Sequence, residues 1–352
     1  MTNKLATQKT NELAAPSILE QAGQAANKAA SAGIFTDYQD RKSDNTLRRH
    51  NADLARFVDF LNSADVPCGD LLTNPEAWRG VSWGIVKAFQ NWQLKEGYAI
   101  GTINGRLSTV KVYAKLAALA GVIDPSELAL IQSVRGFEHK ERKHINDKRK
   151  AAGIDTRRTS KTGKKIKKAQ AVSLTPGQAA AMLDQDTQTD TGRRDRLLLA
   201  IMLRLGLRVG ELAALQVGDF DLKAGELRFY RPKVDKTQTH KLDAVTLDAA
   251  REYIVQDAPA LGIIWRGSVK GIGLAKQGMS ERAITKRVKF LGAKAGAAGL
   301  SAHDLRHYWA TQAARNGTAL DRLQDAGGWS SLAMPGRYIE AAKIANQGVR
   351  LE

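Results

Sequence analysis

The chain contains one cysteine and no long apolar run. Cys68 alone cannot form an internal disulfide or a cysteine zinc cluster, and we interpret it as a small buried hydrophobe. Apolar runs such as 197–203 fall far short of the roughly 20 residues that span a bilayer. The first residues also lack the apolar centre of a secretion signal. We therefore expect a cytoplasmic protein without a membrane partner.

Positive charge is in excess. The chain carries 54 Lys and Arg against 36 Asp and Glu, a net charge of +18. Such a surplus favours a polyanionic partner, and nucleic acid is the usual one. Two alternatives are an RNA-binding or ribosome-associated factor and an anionic membrane surface. The membrane alternative lacks the amphipathic helix, basic on one face and aromatic on the other, that it requires.

The first part of the chain predicts an arm followed by a helical bundle. Residues 1–40 are rich in Ala, Gln, Asn and Ser and predict a flexible, partly helical N-terminal arm. Residues 41–138 carry apolar side chains at helical spacing and predict a helical core domain. Within it we expect one helix over 75–96, opened by Pro75, because proline suits the first helical turn.

Residues 139–171 predict a basic interdomain linker. From His139 to Lys168 there are 13 Lys or Arg and 3 Asp or Glu, a net of +10. The segment has almost no apolar periodicity, so we expect it to lie along phosphates rather than pack in a core. The alternative is a nuclear-localisation-like or simply solvated charge run.

Residues 172–352 predict a second domain that mixes helices with a small sheet. Thr175 and Gln178 have the spacing of a helix-capping box, and Gly206 closes a long apolar helix. FDLKAGELRFYRP and HKLDAVTL predict antiparallel strands, and helices follow to the end. The fold class expected is mainly α with a small antiparallel β-sheet.

Several side chains of this domain could carry chemistry. His303, Arg306 and His307 share one face of a predicted helix. A His pair four residues apart can bind a metal, but no third ligand is evident; an ordinary capped helix is the other alternative. Trp329 follows two glycines, and Tyr338 comes nine residues later. Taken alone, such aromatic residues usually pack in a core.

In this order and spacing the set resembles the tyrosine site-specific recombinases, the phage integrase, Xer and Cre class. G-L-R-x-x-E-L is matched at 206–212, H-x-L-R-H at 303–307, and Gly-Gly-Trp followed by Tyr at 327–338. Trp329 replaces the usual His, as in the Cre-like variant. Aligning the family's β-hairpin lysine with KTQTHKLDAV favours Lys236, and Lys233 is the alternative.

The resemblance implies a domain plan and a reaction. The bundle would be the core DNA-binding domain, and 172–352 the catalytic domain with a C-terminal docking helix. DNA strands would be cleaved and rejoined through a 3′-phosphotyrosyl intermediate on Tyr338, with no metal, ATP or other cofactor. Arg208 and Arg306 would clamp the phosphate, because guanidinium groups bind phosphate oxygens bidentately.

The remaining site residues have implied roles as well. Trp329 would donate its indole N–H to the phosphate, His303 would help to move the tyrosine proton, and Lys236 would protonate the leaving 5′ oxygen. Glu211 would hold an Arg or His in place, and His307 would support the structure or the phosphate.

The implied partner is double-stranded DNA with inverted-repeat sites, bound by a homotetramer, so the protein would be nucleoid-associated; the need for an accessory directionality factor is open. The DNA-binding candidates are basic residues of the bundle, the linker and one helix of the second domain: Arg48, Arg49, Arg106, Lys111, Arg142, Lys143, Arg157, Arg158, Lys164, Lys165, Arg282, Lys286 and Arg287. Rival functions are an inactive DNA-binding relative, a type IB topoisomerase and an RNA-binding module.

Overall fold

A computed structural model describes residues 17–138, 140–154, 172–269 and 271–342. The chain divides into two compact units, Met1–Lys167 and Lys168–Glu352. The described part of the first unit is helical, and that of the second combines helices with two small antiparallel sheets. No helix in these ranges is long and apolar enough to cross a membrane.

The first unit is a bundle whose helices meet around an aromatic core. Its helices are α1 Ile18–Asp40, α2 Asp44–Asn62, a 3₁₀ helix Pro75–Trp78, α3 Trp83–Lys95, α4 Ile100–Leu119, α5 Pro125–Ser133 and α6 Glu141–Ala151. Phe57, Trp78, Phe89 and Tyr113 are fully buried at its centre. Ring centroids lie 5.0 Å apart for Phe57 and Phe89, so burial of aromatic surface stabilises this unit.

The single helix expected over 75–96 is wrong, because the structure has two. Pro75–Trp78 is one 3₁₀ turn, and α3 begins only at Trp83. Gly80 takes a left-handed φ of +82°, and the hydroxyl of Ser82 accepts from the Ile85 N–H as a new N-cap. The break lets Trp78 turn inward and donate to the Leu71 carbonyl at 2.9 Å.

Helix α1 lies in the segment expected to be a flexible, partly helical arm and occupies its residues 18–40. Ser17 and Glu20 form a capping box at its start. Phe35 near its end is buried and meets the Tyr113 ring edge-on at 5.7 Å. Tyr38 meets the same Tyr113 ring at 5.8 Å, so two aromatic side chains attach the end of the helix to the bundle, whereas residues 18–30 expose their side chains. Helix α6 lies in the segment expected to be the basic linker.

The second unit is built around an apolar helix, and a shorter capped helix precedes it. The capping box of Thr175 and Gln178 starts α7 Pro176–Leu183, as predicted. Helix α8 Asp190–Ala200 continues as a π-helical turn, Ile201–Leu205, and ends at Gly206 with φ +63°. The remaining helices are α9 Val209–Ala213, α10 Ala244–Gln256, α11 Glu281–Lys294, α12 Ala302–Arg315, α13 Leu320–Gly327 and α14 Ala333–Ala342.

The three-stranded sheet places a hairpin beside this core. Strands β1 Phe220–Asp221, β2 Glu226–Arg231 and β3 Lys236–Lys241 pair antiparallel in that order. β4 Arg266–Val269 and β5 Gly273–Gly278 form a separate hairpin. The strand expected in HKLDAVTL is wrong over most of its length: Asp243 caps α10 through the Thr246 N–H, so the chain turns helical there. The strand that pairs with β2 is instead KTQTHK, which is β3.

Candidate active site

Arg208 stands between a glycine turn and a short helix. Gly206 ends the preceding helix in the left-handed conformation, and Arg208 occupies the N-cap of α9. Glu211, three residues on, accepts from the Arg208 backbone N–H at 2.8 Å and from its Nη1 at 2.6 Å. The guanidinium also donates through Nη2 to the Gly328 carbonyl at 2.9 Å. The GLRVGEL motif therefore fixes this arginine locally, while a distant turn completes its orientation.

Arg306 lies on the inward face of α12 and is 2% exposed. Its Nη1 donates to the Gly206 carbonyl at 2.5 Å, and its Nη2 donates to the Gly327 carbonyl. Burial and the neighbouring Arg208 charge lower the pKa of Arg306 to about 10, which still leaves it cationic at pH 7. Both motif arginines therefore meet at the turn that ends α13.

Trp329 follows this turn and packs against Arg306. Gly328 takes φ +56° as the C-cap of α13. The guanidinium carbon of Arg306 lies 4.5 Å from the Trp329 ring centroid, a distance at which a cation–π attraction operates. Trp309 stacks on Trp329 at 6.1 Å and adds a second aromatic wall.

Tyr338 is 8% exposed, and its hydroxyl lies beside His307. Its Oη is 2.7 Å from His307 Nδ1, and its ring centroid is 5.7 Å from that of Trp329. His303 stands one turn before His307, with ring centroids 4.4 Å apart. The shared helix face predicted for the two histidines is thus present, and it is His307 that contacts the phenol.

The lysines of the hairpin lie at the rim of the same region. Lys236 is exposed and pairs with Asp325, Nζ to Oδ1 at 2.9 Å. Lys233 and Lys236 both line a cavity of about 490 Å³ that Trp329 and Gly328 also border. Both lysines therefore lie near Trp329, and the choice between them stays a prediction.

Known proteins match both the sequence and the fold. The pattern described as "Phage integrase family" matches residues 172–344. The tyrosine recombinase XerD of Neisseria meningitidis serogroup B is 31% identical over 164 residues, which cover 47% of this chain and 56% of the relative. The tyrosine recombinase XerC of Herpetosiphon aurantiacus is 26% identical over 312 residues, 85% of each chain.

Residues 172–344 form a phage integrase family domain, and the chain is related to the tyrosine recombinases XerC and XerD. It spans about half the length of the XerD relatives that it matches. Its fold resembles that of the Tn1549 transposon integrase, solved in complex with a circular intermediate DNA, with a TM-score of 0.59 at 16% identity over 88% of this chain and 94% of that one. Lambda integrase bound to DNA gives a TM-score of 0.57 at 12% identity, over 93% and 99%. The predicted family and fold class are confirmed.

Burial sets the protonation states of Tyr338 and His307 in the candidate active site. Burial raises the pKa of the Tyr338 phenol, and the Arg306 charge opposes that rise, so the phenol is neutral at pH 7. Burial also lowers the pKa of His307, so its imidazole is neutral and its Nδ1 can accept the phenolic proton. No group of three or more His, Cys, Asp or Glu side chains within the described ranges has a metal-binding arrangement.

Two side chains that the sequence motifs did not select lie beneath the site. Arg231 ends β2 and is fully buried, and its Nη2 donates to the Ala326 carbonyl at 2.8 Å. His240 on β3 has its Nε2 3.3 Å from the same nitrogen, and burial beside the Arg231 charge lowers its pKa to about 4. Alternation along β2 turns residues 227, 229 and 231 inward, the one signal that could have found Arg231.

The DNA-binding candidates fall into three groups. Arg48, Arg49, Arg142, Lys143, Arg282 and Lys286 are exposed, as a phosphate contact requires. Arg106, Lys111 and Arg287 have partners inside the protein: the Tyr98 ring and Gln93, the Gln132 carbonyl, and the buried Asp195, respectively. Arg157, Arg158, Lys164 and Lys165 lie outside the described residues. Exposure alone therefore favours the first group.

Proposed function

We propose that the protein is a site-specific DNA recombinase that cleaves and rejoins strands through Tyr338. The observation that carries the proposal is the arrangement of a buried phenol beside a neutral imidazole, within a set of aromatic and guanidinium groups. The Tyr338 hydroxyl lies 2.7 Å from His307 Nδ1, and Arg306 lies over the Trp329 ring that contacts the tyrosine.

The chemistry follows from these groups. The phenolic oxygen of Tyr338 attacks the phosphorus and forms a new P–O bond, while the bond to the 5′ oxygen breaks. The phenolic proton passes to a histidine, His307 by the observed contact or His303 by family resemblance, and a lysine gives a proton to the departing 5′ oxygen. A 5′ hydroxyl of a second strand reverses these steps, so the phosphotyrosyl bond conserves the energy needed for rejoining.

Charge stabilisation is the task of the two arginines. The five-coordinate transition state carries more negative charge than the phosphodiester, and fixed cations stabilise that increment most effectively in a partly desolvated site. Arg306 is buried, and Arg208 is held by Glu211 and the Gly328 carbonyl, so neither needs large reorganisation. This is the kind of preorganisation that phosphoryl chemistry needs.

The substrate and assembly are part of the same proposal. Strand exchange joins two duplexes, so we propose double-stranded DNA with inverted-repeat sites, a homotetramer on two sites, and action at the nucleoid; an accessory directionality factor is an additional partner to test for. The tail 343–352, outside the described residues, is proposed to dock on an adjacent subunit. Its deletion is expected to weaken synapsis more than single-site binding; an equal loss of both would contradict the docking role.

The test is a trapped covalent adduct. DNA flanking the protein's own gene, nicked near candidate inverted repeats, is incubated with wild type, Tyr338→Phe and the neighbouring control Tyr308→Phe. A denaturant-resistant adduct with wild type and the control, but not with Tyr338→Phe, supports the proposal. Specific binding without an adduct would favour an inactive relative, and supercoil relaxation without exchange between duplexes would favour a topoisomerase.

The same assay separates the lysines. Lys233→Ala and Lys236→Ala are compared on a normal substrate and on one whose 5′ oxygen is replaced by sulfur, which leaves without protonation. The general acid is the lysine whose loss slows cleavage of the first substrate much more than of the second. Asp325 pairs with Lys236 and also accepts from Gln238, so Asp325→Asn is expected to alter cleavage if Lys236 is the general acid.

A further inference from the structure

Three consecutive backbone carbonyls in the turn before Trp329 each accept a hydrogen bond from a different arginine. Ala326 O accepts from Arg231, Gly327 O from Arg306, and Gly328 O from Arg208. Two of these arginines belong to the family motifs. The third comes from the end of β2, 95 residues before its carbonyl partner.

The hydrogen bonding of Arg231 differs from that of Arg208 and Arg306. Its side chain is fully buried, and neither its Nε nor its Nη1 has a hydrogen-bond partner within the described ranges. The carboxylate of Glu211 lies 3.6 Å from Nη1, and His240 Nε2 lies 3.3 Å from Nη2. Since a guanidinium has no acceptor, His240 must present a lone pair and carry its proton on Nδ1.

The position of Arg231 is costly in itself, because a buried cation with incomplete hydrogen bonding is strongly desolvated. The contacts of Arg231 explain why this cation is buried here. It lies between Glu211, which orients Arg208, and the 326–328 turn, which orients both Arg208 and Arg306. A Cβ on Gly328 would also collide with the Arg231 side chain, so the turn follows its contour closely.

We propose that Arg231 is a positioning residue of the active site. It acts through the 326–328 turn and Glu211 and sets the geometry with which Arg208 and Arg306 meet the phosphate, without touching the DNA itself. This inference rests on the proposed function for its catalytic consequence, but the fixing of the turn can be measured without it.

The first measurement is hydrogen exchange of the free protein. Arg231→Met keeps the apolar stem and removes every donor; Arg228→Met, on the exposed face of the same strand, is the matched control. Amides of peptides covering 324–332 are expected to exchange at least about five-fold faster in Arg231→Met, because opening of the turn costs less. Helix α8 should keep its protection in both variants. Unchanged exchange in the turn would overturn the proposal.

The second measurement is single-turnover cleavage against binding. Arg231→Met is expected to slow adduct formation by about ten- to a hundred-fold, since small misplacement of catalytic groups has effects of that size. Binding of intact sites should stay within about two-fold, because the buried side chain makes no contact with phosphates. Arg231→Lys, which keeps the charge and one donor, should recover part of the rate.

A neutral substrate separates positioning from general damage. A methyl group in place of one non-bridging oxygen removes the charge that the arginines stabilise, so the defect of Arg231→Met should shrink on this methylphosphonate. An equal defect on both substrates would overturn the positioning role. If wild type forms no adduct while the turn still loosens in Arg231→Met, the proposed function fails and the structural role of Arg231 stands.

Discussion

Gly206→Ala offers a sharp test of how the two arginine motifs are joined. The residue takes φ +63°, and an added Cβ would collide with the indole ring of Trp309, which is rigid. Gly317→Ala is the matched control, because Gly317 has φ +78° in the same unit and nothing within 4 Å of the added atom.

Both variants force alanine into the left-handed region, which costs about 1–2 kcal/mol. Only Gly206→Ala adds the strain of overpacking, typically about 1–3 kcal/mol. We therefore expect it to lose roughly 2 kcal/mol more than the control, or about 4–8 °C in Tm for a domain of this size. The Gly206 carbonyl also accepts from Arg306, so adduct formation should fall as well.

Urea unfolding followed by circular dichroism measures the difference in stability, and the nicked-substrate assay measures the difference in cleavage. Equal destabilisation by the two substitutions would refute the reasoning, because it would mean that Trp309 moves aside without cost. A loss of stability at Gly206 without any loss of cleavage would separate the packing of this turn from the orientation of Arg306.

Three further outcomes are expected. His240 has a pKa of about 4 in the folded protein and about 6.5 when unfolded, so the free energy of unfolding should fall by up to about 3 kcal/mol as the pH drops from 6.5 to 4. His240→Gln should reduce this pH dependence when unfolding is measured across the same range. The buried carboxylate of Asp195 pairs with Arg194 and Arg287, so Asp195→Asn should lower the free energy of unfolding by about 3–5 kcal/mol in denaturant titrations. A loss below about 1 kcal/mol would show that these ion pairs are dispensable. Replacing the exposed Arg142 with Ala should reduce the slope of log affinity against log salt by about 1, and an unchanged slope would remove it from the DNA contacts.

Local signals in the sequence determined much of the second unit. Thr175 and Gln178 cap a helix, Gly206 ends one, and the His303–His307 spacing places two histidines on one face, because each of these effects acts between residues a few positions apart. The prediction of a single helix over 75–96 was wrong, because the left-handed turn at Gly80 interrupts a continuous apolar pattern.

The order of the motifs identified the family, whereas the tertiary structure decided how their side chains meet. Arg208 reaches a carbonyl 120 positions away, and Tyr338 pairs with His307, 31 positions away, rather than with the His303 that the resemblance favoured for its proton. Arg231 carries no motif at all, and only the inward alternation of its strand and the fold of α13 bring it to the Ala326 carbonyl. Caps and turns depend on neighbouring residues and can be predicted from them, but the partners of a buried guanidinium depend on which distant backbone the packed core brings within reach.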